Sequence, residues 1–589
     1  MRHATMIVLI SALVLLITAT VAVVFANTSY TTVRAYLDSV APDGDVEHYT
    51  PAMHANAARN AGWAAWVAGL LGALVLAGRR LLARRFTEQG PAWTRFKRDV
   101  VRSLGKSPGK GSGDQRAWVF TLIGVGALLR ITQMGAPVIY DEAFTYTYYA
   151  TRPLSILLSD YSFPNNHILH TMLVKLSTSL FGLGLWQVRL PALLAGIAVM
   201  PVFYLFVRAM FNRYIALMAL ALVAASGGLI EYSALGRGYS LTWFFFVVAL
   251  LAGRHFVKTN NTVSAVAVGV ACALGMWSVP TMIYAVTTVY IWLLLYLGGK
   301  YESSLRQRAV KLLLSVVVFA LVTALCYSPV LIAHGLPHLI THPEAGEATW
   351  ASFTFTQQDK SFDLWIYIVD TSSAWIAFAG FAGLVHASFV TSKFRKLFFA
   401  MVVGCIPLVI LQMNVAPPRA WNWMLFVFHL SSAIALFYLL KFIQEKIAPG
   451  FLKRTRTLVM AGTLLVLTGF LSITSLPRKN GLPRYPEAVE AAAFLKRAVQ
   501  PTDLVLMQFP WEAPIEFHSL ASGIDRLQLH VPGKTMPTAG QRLFLLVSPA
   551  NGQTAQGVLA HYNIRPDAVV VGPKLRDWMR LEIHLAMVK

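Results

Sequence analysis

A chain of 589 residues that is 56% hydrophobic, 12% aromatic and only 13% charged lies outside the soluble globular range. Its formal charge of +23 would point to nucleic acid in a soluble protein. Here apolar runs of roughly twenty residues recur along most of the chain, each long enough to cross about 30 Å of hydrocarbon, so the Lys and Arg residues are assigned to cytoplasmic loops and a nucleic-acid partner is excluded.

The first predicted element, Met6–Ala26, is an apolar run behind a short basic start. It is longer than a usual signal core, and VFANTS makes a poor cleavage site, which favours an uncleaved anchor over a cleaved signal peptide. A polar segment, Asn27–Asn60, precedes a second span near Trp63–Ala77. Arg79–Arg116 then holds eleven Lys/Arg against three acidic residues and includes the flexible run SPGKGSGD. That excess fixes it in the cytoplasm. The chain divides here into an N-terminal transmembrane hairpin (1–78), a basic linker (79–116) and a transmembrane core (117–476).

Core spans are predicted near Trp118–Met134, Val188–Val207, Ile215–Ile230, Ser240–Val257, Val263–Val279, Met282–Leu297 and Leu312–Ala333. Four more follow near Leu364–His386, Leu397–Met413, Trp421–Leu440 and Leu458–Ser475. With the hairpin, the expected total is roughly thirteen helices. Alternation supplies an internal check. The loops that fall on the cytoplasmic side carry Arg208/Arg213, Arg254/Lys258, Lys300/Arg306/Arg308/Lys311, Lys393/Arg395/Lys396 and Lys446/Lys453/Arg454/Arg456. All are basic, as the positive-inside rule requires. The opposite loops are Val138–Gln187, Glu231–Arg237, His334–Asp363 and Val415–Ala420. No internal repeat is visible, which weighs against an inverted-repeat transporter.

Hydropathy drops after Ser475, and residues 477–589 are expected to form a small extracytoplasmic α/β domain. Pro486 can open a helix through Ala498. Asp503–Met507, Arg542–Ser548 and Ala568–Val571 read as strands. Cys272, Cys326 and Cys405 all lie in apolar spans, so neither a disulfide framework nor a metal cluster can be built from them.

The stretch with the most chemistry is VIYDEAFTYTYYATRPLSILLSDYSFPNNHILH, residues 138–170. Asp141 and Glu142 stand together where a span emerges. Carboxylates beside a bilayer are costly unless water, a cation or a polar substrate meets them. One can serve as general base on an acceptor hydroxyl while the other orients it or binds a cation; the alternative is a solvated pair at a helix end. Asn165, Asn166, His167 and His170 form the next cluster. His167 and His170 are three apart, share a helical face, and with Asp141 or Glu142 could coordinate a divalent metal, Glu142, His167 and His170 being the candidate set. Ordinary hydrogen bonding is the more frequent use of such a pair. Arg237, in GRGYSL, and Arg419, in PPRAW, break the cytoplasmic bias of positive charge and could grip a phosphate; lipid head groups are the alternative. His334, His338 and His342 recur every fourth residue before Glu344 and Glu347, but Gly335 and Pro337 interrupt that helix, leaving a solvated loop. Tyr146, Tyr148 and Tyr149 suit either sugar stacking or an interfacial aromatic belt.

The order YDEAFTY, PNNHILHTMLVKLSTSLFG, RLPALLAGIAVMPVFYLF, GRGYSLTWFFF and a C-terminal soluble domain resembles the GT-C membrane glycosyltransferases. Within them the chain is similar to bacterial relatives of protein O-mannosyltransferases and aminoarabinose transferases. The likeness covers Trp118–Ser475 and is strongest over Val138–Leu241. It implies a polytopic helical GT-C fold and inverting transfer of a sugar from a polyprenyl-phosphate donor to a protein, lipid or glycan hydroxyl. The reaction would take place outside the bacterial cytoplasmic membrane; the sequence requires no cofactor and leaves a divalent metal open. Asp141 matches the family's leading catalytic carboxylate, and Arg237 with Tyr239 matches its Arg-x-Tyr segment near the donor phosphate. PNNHILH departs from the proline pair of many aminoarabinose-type relatives. A transporter or flippase of polyprenyl-linked glycans is the alternative from another class, since it too keeps charges inside a bundle.

Overall fold

The computed structural model describes residues 2–40, 49–105, 113–299, 303–340, 349–447, 456–475, 482–524, 529 and 537–589. Among them, eight helices are long and apolar enough to cross a membrane, or up to ten if each of two bent pairs is one span. The other expected spans are Thr262–Ser278 and Met460–Ile473, apolar but shorter, and Gly113–Thr132, which carries Arg130 in its last turn. The protein is a multi-pass helical membrane protein with a small C-terminal sheet.

Arg213–Ala225 is the central helix. From Ile215 to Ala225 no residue is more than 2% exposed. Its apolar circumference is consistent with neighbours on every side, among them Leu185–Met210, Gly113–Thr132, Met424–Phe442 and Arg456–Ser475. Asn212 caps its start, accepting from the amides of Tyr214 and Ile215. At Ser226 the chain turns by 58° into Gly227–Ser233. Such a break leaves helix-end carbonyls open. Arg130 meets them, donating to the carbonyls of Ala224 at 3.0 Å and Val223 at 3.3 Å. Beyond the turn at Ser226 come Glu231, which pairs with Arg484, and the GRGY segment, whose Arg237 approaches Asp141.

Several predicted elements differ. The span near Leu364–His386 is two helices, Trp350–Ser372 and Ala374–Val390, bent by 115°. Ser373 makes the corner with φ +64°, so the loop expected at His334–Asp363 is helical from Trp350 onward. Gly335–Ile340 is a short helix too. Gly335, at φ +80°, breaks it from the helix before, and Pro337 falls in its first turn, where proline is tolerated. The polar segment Asn27–Asn60 contains the helix Tyr30–Val40, and the second span already begins at Pro51, behind the Thr50 cap. Helices Arg79–Glu88 and Gly90–Gly105 occupy much of the basic linker. Most of SPGKGSGD, the domain boundary at 476, Lys300, Lys453 and Arg454, the side chain of His338, and His342, Glu344 and Glu347 lie outside the described residues.

In the C-terminal domain β1 (Leu504–Leu506), β2 (Arg542–Val547), β3 (Val569–Asp577) and β4 (Glu582–Val588) form one sheet, in the order β1-β2-β4-β3. β1 is parallel to β2, and the other pairs are antiparallel. The predicted first helix is present as Glu487–Ala498. Glu512–Ala521, Ala555–His561 and β4 were not predicted. This domain does not stand apart. Tyr485, Ala488 and Phe517 share one buried cluster with Val138, Ala143, Ala150 and Val188 of the membrane core. The backbone of Arg484 forms an antiparallel bridge with Ile139, two residues before Asp141.

Candidate active site

Asp141 and Glu142 lie in the first turn of a five-residue helix, Tyr140–Phe144, that continues as a π-helical turn over Thr145–Ala150. Acidic residues there favour the positive end of the helix. Glu142 also accepts from the amide of Ile139 at 3.1 Å, closing half of a capping box.

The two carboxylates then part company. Glu142 is fully buried. Arg189 grips both its oxygens, from Nε at 3.0 Å and from Nη2, and the amide of Gly236 donates to it at 2.8 Å. The rest of the Arg189 guanidinium holds the carbonyls of Met134, Ala136 and Pro137. Glu142 therefore has no face open to substrate or cation, and the expectation that it shares the chemistry with Asp141 gives way to a structural role. Asp141 is the carboxylate that remains accessible, with about 35% of its side chain exposed.

Arg237 is buried beneath Asp141. Its Nη2 lies 4.0 Å from the Asp141 carboxylate. It donates from Nη1 to Thr145 Oγ1 at 2.7 Å and to the Asn165 carbonyl at 3.0 Å, and from Nη2 to Asn165 Oδ1 at 2.6 Å. His167 Nε2 stands 3.2 Å from the same Nη2. Through its two terminal nitrogens Arg237 ties the Asp141 helix to the PNNH loop, while its Nε is buried without a hydrogen-bond partner. Arg419 is the second cation near Asp141. It is half-buried and lies close enough to Tyr239 and Asp141 to feel the charge of both. Tyr239 is buried, its ring edge-on to His167 at 5.1 Å and to Tyr232 at 5.3 Å.

The glycines of GRGY explain the spacing. Gly236 and Gly238 approach so closely that a Cβ would lie 2.7 Å from Val188 Cγ1 and 2.8 Å from the Ser278 carbonyl oxygen, respectively. In return, Gly238 gives its amide to His167 Nδ1 at 3.0 Å, as Gly236 does to Glu142. The motif is a backbone clamp on both halves of the site.

The remaining predicted residues move apart. Asn166 faces the other way, donating to the carbonyls of Leu157 and Asp160, both at 2.9 Å; its neighbour Asn165 reaches Arg237 instead. Neither ring nitrogen of buried His170 has a partner. Glu142, His167 and His170 do not form a metal-holding set, and no group of three or more His, Cys, Asp or Glu residues does so among the described residues. Tyr146 packs on Phe517, Tyr148 stacks on Phe144, and Tyr149 bonds the Phe163 carbonyl. These rings join the site to the C-terminal domain and the PNNH loop. His334 accepts from the Tyr161 amide at 3.1 Å. Arg189 and Arg130 escaped the sequence reading, although an Arg inside RLPALL or GALLRIT is costly in an apolar run and signals a buried partner.

Residues 165–328 match the model of the dolichyl-phosphate-mannose-protein mannosyltransferase family. No curated protein matches the chain. Among solved structures, ArnT from Cupriavidus metallidurans bound to undecaprenyl phosphate aligns over 80% of this chain and 98% of its own, at 13% identity and TM-score 0.52. Its apo form aligns over the same shares at 12% identity and TM-score 0.53. The oligosaccharyltransferase AglB from Archaeoglobus fulgidus aligns more loosely, over 69% and 64%, at 13% identity and TM-score 0.47. At these identities the likeness to ArnT is one of fold, the GT-C fold of membrane glycosyltransferases.

Proposed function

We propose that this protein transfers a sugar from a polyprenyl-phosphate-linked donor to the hydroxyl of a protein, lipid or glycan, with Asp141 as the base. One observation carries the reading. In a fold shared with an undecaprenyl-phosphate-binding protein, one carboxylate of an acidic pair is locked away by Arg189, while the other stays accessible beside Arg419.

Asp141 takes the proton of the acceptor hydroxyl as its oxygen attacks the anomeric carbon. The bond from that carbon to the phosphate oxygen breaks, and the electron pair leaves with the polyprenyl phosphate. Arg419 offsets the charge developing on the departing phosphate. Arg237 fixes the helix that carries Asp141 and touches neither reactant. The reaction is placed on the outer face of a bacterial cytoplasmic membrane because the loops opposite the site, such as that with Lys393, Arg395 and Lys396, are basic.

The test compares glycolipids and intact protein masses of cells with and without the chain. A fixed sugar increment missing from one class of molecule is expected. Unchanged products, with polyprenyl-linked sugar stranded on the cytoplasmic face, would instead indicate a flippase.

A further inference from the structure

A cavity of about 560 Å³ lies between the N-terminal hairpin and the core, away from Asp141. Its size falls within the roughly 300–1,000 Å³ usual for ligand sites. Its walls are unlike one another. Val21 and Phe25 of the first helix, Ala57 and Ala61 of the second span, and Ile332 make an apolar wall, whereas Arg152, Ser155, Ser159, Asp160 and Ser162 gather the charged pair and three hydroxyls on one segment, with His334 and Ser328 also in the lining. Val21 lines the cavity yet is 62% exposed, so the space opens sideways toward lipid.

At the polar end Arg152 Nη1 and Asp160 Oδ2 are 3.1 Å apart, with side chains only 16% and 13% exposed. The Arg152 Nε is buried and has no hydrogen-bond partner. An unmet donor on a charged group is costly, and a phosphate oxygen is a strong partner for it. Asp160, whose Oδ1 accepts from the amide and the hydroxyl of Ser162 at 2.9 and 2.7 Å, puts a negative charge beside Arg152, which disfavours a purely anionic head group and attracts an ammonium. We propose that this cavity holds one acyl chain of a zwitterionic phospholipid, its phosphate on Arg152 and its ammonium on Asp160.

The site is a second lipid site, independent of the transfer reaction, but it abuts the helix of Asp141. Arg152 lies 4.0 Å over the ring of Tyr148, which stacks on Phe144, which stacks on Tyr140. The lipid would brace this four-residue ladder from behind.

Full-length protein in vesicles of phosphatidylethanolamine or phosphatidylglycerol, each with a diazirine on one acyl chain, tests the assignment after illumination and peptide mapping. The phosphatidylethanolamine probe should mark peptides containing Val21 and Ala57. Ala57→Trp and, from the neighbouring helix Leu305–Ala333, Ser328→Trp should each cut that marking about tenfold, the loss of one modest contact. Arg152→Gln should keep the chain in place and abolish the preference over phosphatidylglycerol. Equal marking by both probes in the parent would overturn the head-group assignment. Marking that survives both filling variants would belong to annular lipid. Displacement by undecaprenyl phosphate would give the cavity to the donor instead. Each of these results can arise whether or not sugar transfer is observed.

Discussion

At the scale of single residues the site rests on a division of labour between adjacent carboxylates. Asp141→Asn preserves shape and removes the base, so turnover should fall by about 10²–10⁴-fold with donor binding retained. A folded variant that transfers sugar at the parental rate would remove Asp141 from the mechanism. Glu142→Gln should act on stability instead. It leaves Arg189 charged and buried without its counter-ion, and breaking a buried pair costs about 3–5 kcal/mol. A melting temperature near the parental one would show that the pair is not what holds the helix. The two arginines should separate in steady-state kinetics. Arg419→Ala should raise the donor KM, because it removes the cation assigned to the phosphate. Arg237→Ala should lower kcat with the donor KM little changed, because its hydrogen bonds end on Thr145 and Asn165. The reverse pattern would return the phosphate to Arg237.

At the scale of elements, the site is assembled by breaks in helices. Ser226 ends the central helix early and Gly236 and Gly238 press against its neighbours. Gly238→Ala puts a methyl where the Ser278 carbonyl oxygen is 2.8 Å away. It should push the GRGY turn off His167, lowering both activity and thermal stability, while Gly469→Ala, inside the helix Arg456–Ser475 and with nothing within 4 Å of its added carbon, should leave activity unchanged and stability equal or slightly higher. Equal behaviour of the two variants in a melting series would dismiss the clamp. These breaks also mark what could be read in advance. Apolar runs of span length located the long helices because burial in lipid demands them, and the acidic pair stood out because charge beside a bilayer is expensive. The corner at Ser373 left no such trace, since a serine held at φ +64° has neither glycine nor proline to announce it. Nor could spacing tell Asp141 from Glu142. What separates them is Arg189, which lies 47 residues beyond Glu142 in sequence.

At the scale of the whole molecule the C-terminal domain is a clamp on the helix that carries Asp141. Arg484 bonds the Pro137 carbonyl at 3.2 Å and the Glu231 carboxylate at 3.1 Å, and its backbone bridges to Ile139. Tyr140, next to Asp141, donates to Glu512 at 2.6 Å. Burial pushes the Glu512 carboxyl above its ordinary value, while the Tyr140 hydroxyl works against that shift. The sign of the pH effect follows. A carboxyl whose folded value is raised holds its proton more tightly in the native state than in the unfolded chain. Its contribution is therefore fully present below the unfolded value and is lost as pH rises through the folded one. Glu512→Gln cannot ionise, so this component of the pH dependence should vanish and the melting curve should flatten across that window. Tyr140→Phe should move the other way. Without the donor that favours the ionised form, the Glu512 value rises further and the loss of stability shifts to higher pH. Melting series of the three proteins from acid to neutral pH decide the matter, and parallel curves would mean that this contact does not hold the domain. If the curves diverge as expected, activity should track them, because the domain grips the helix one residue from the base.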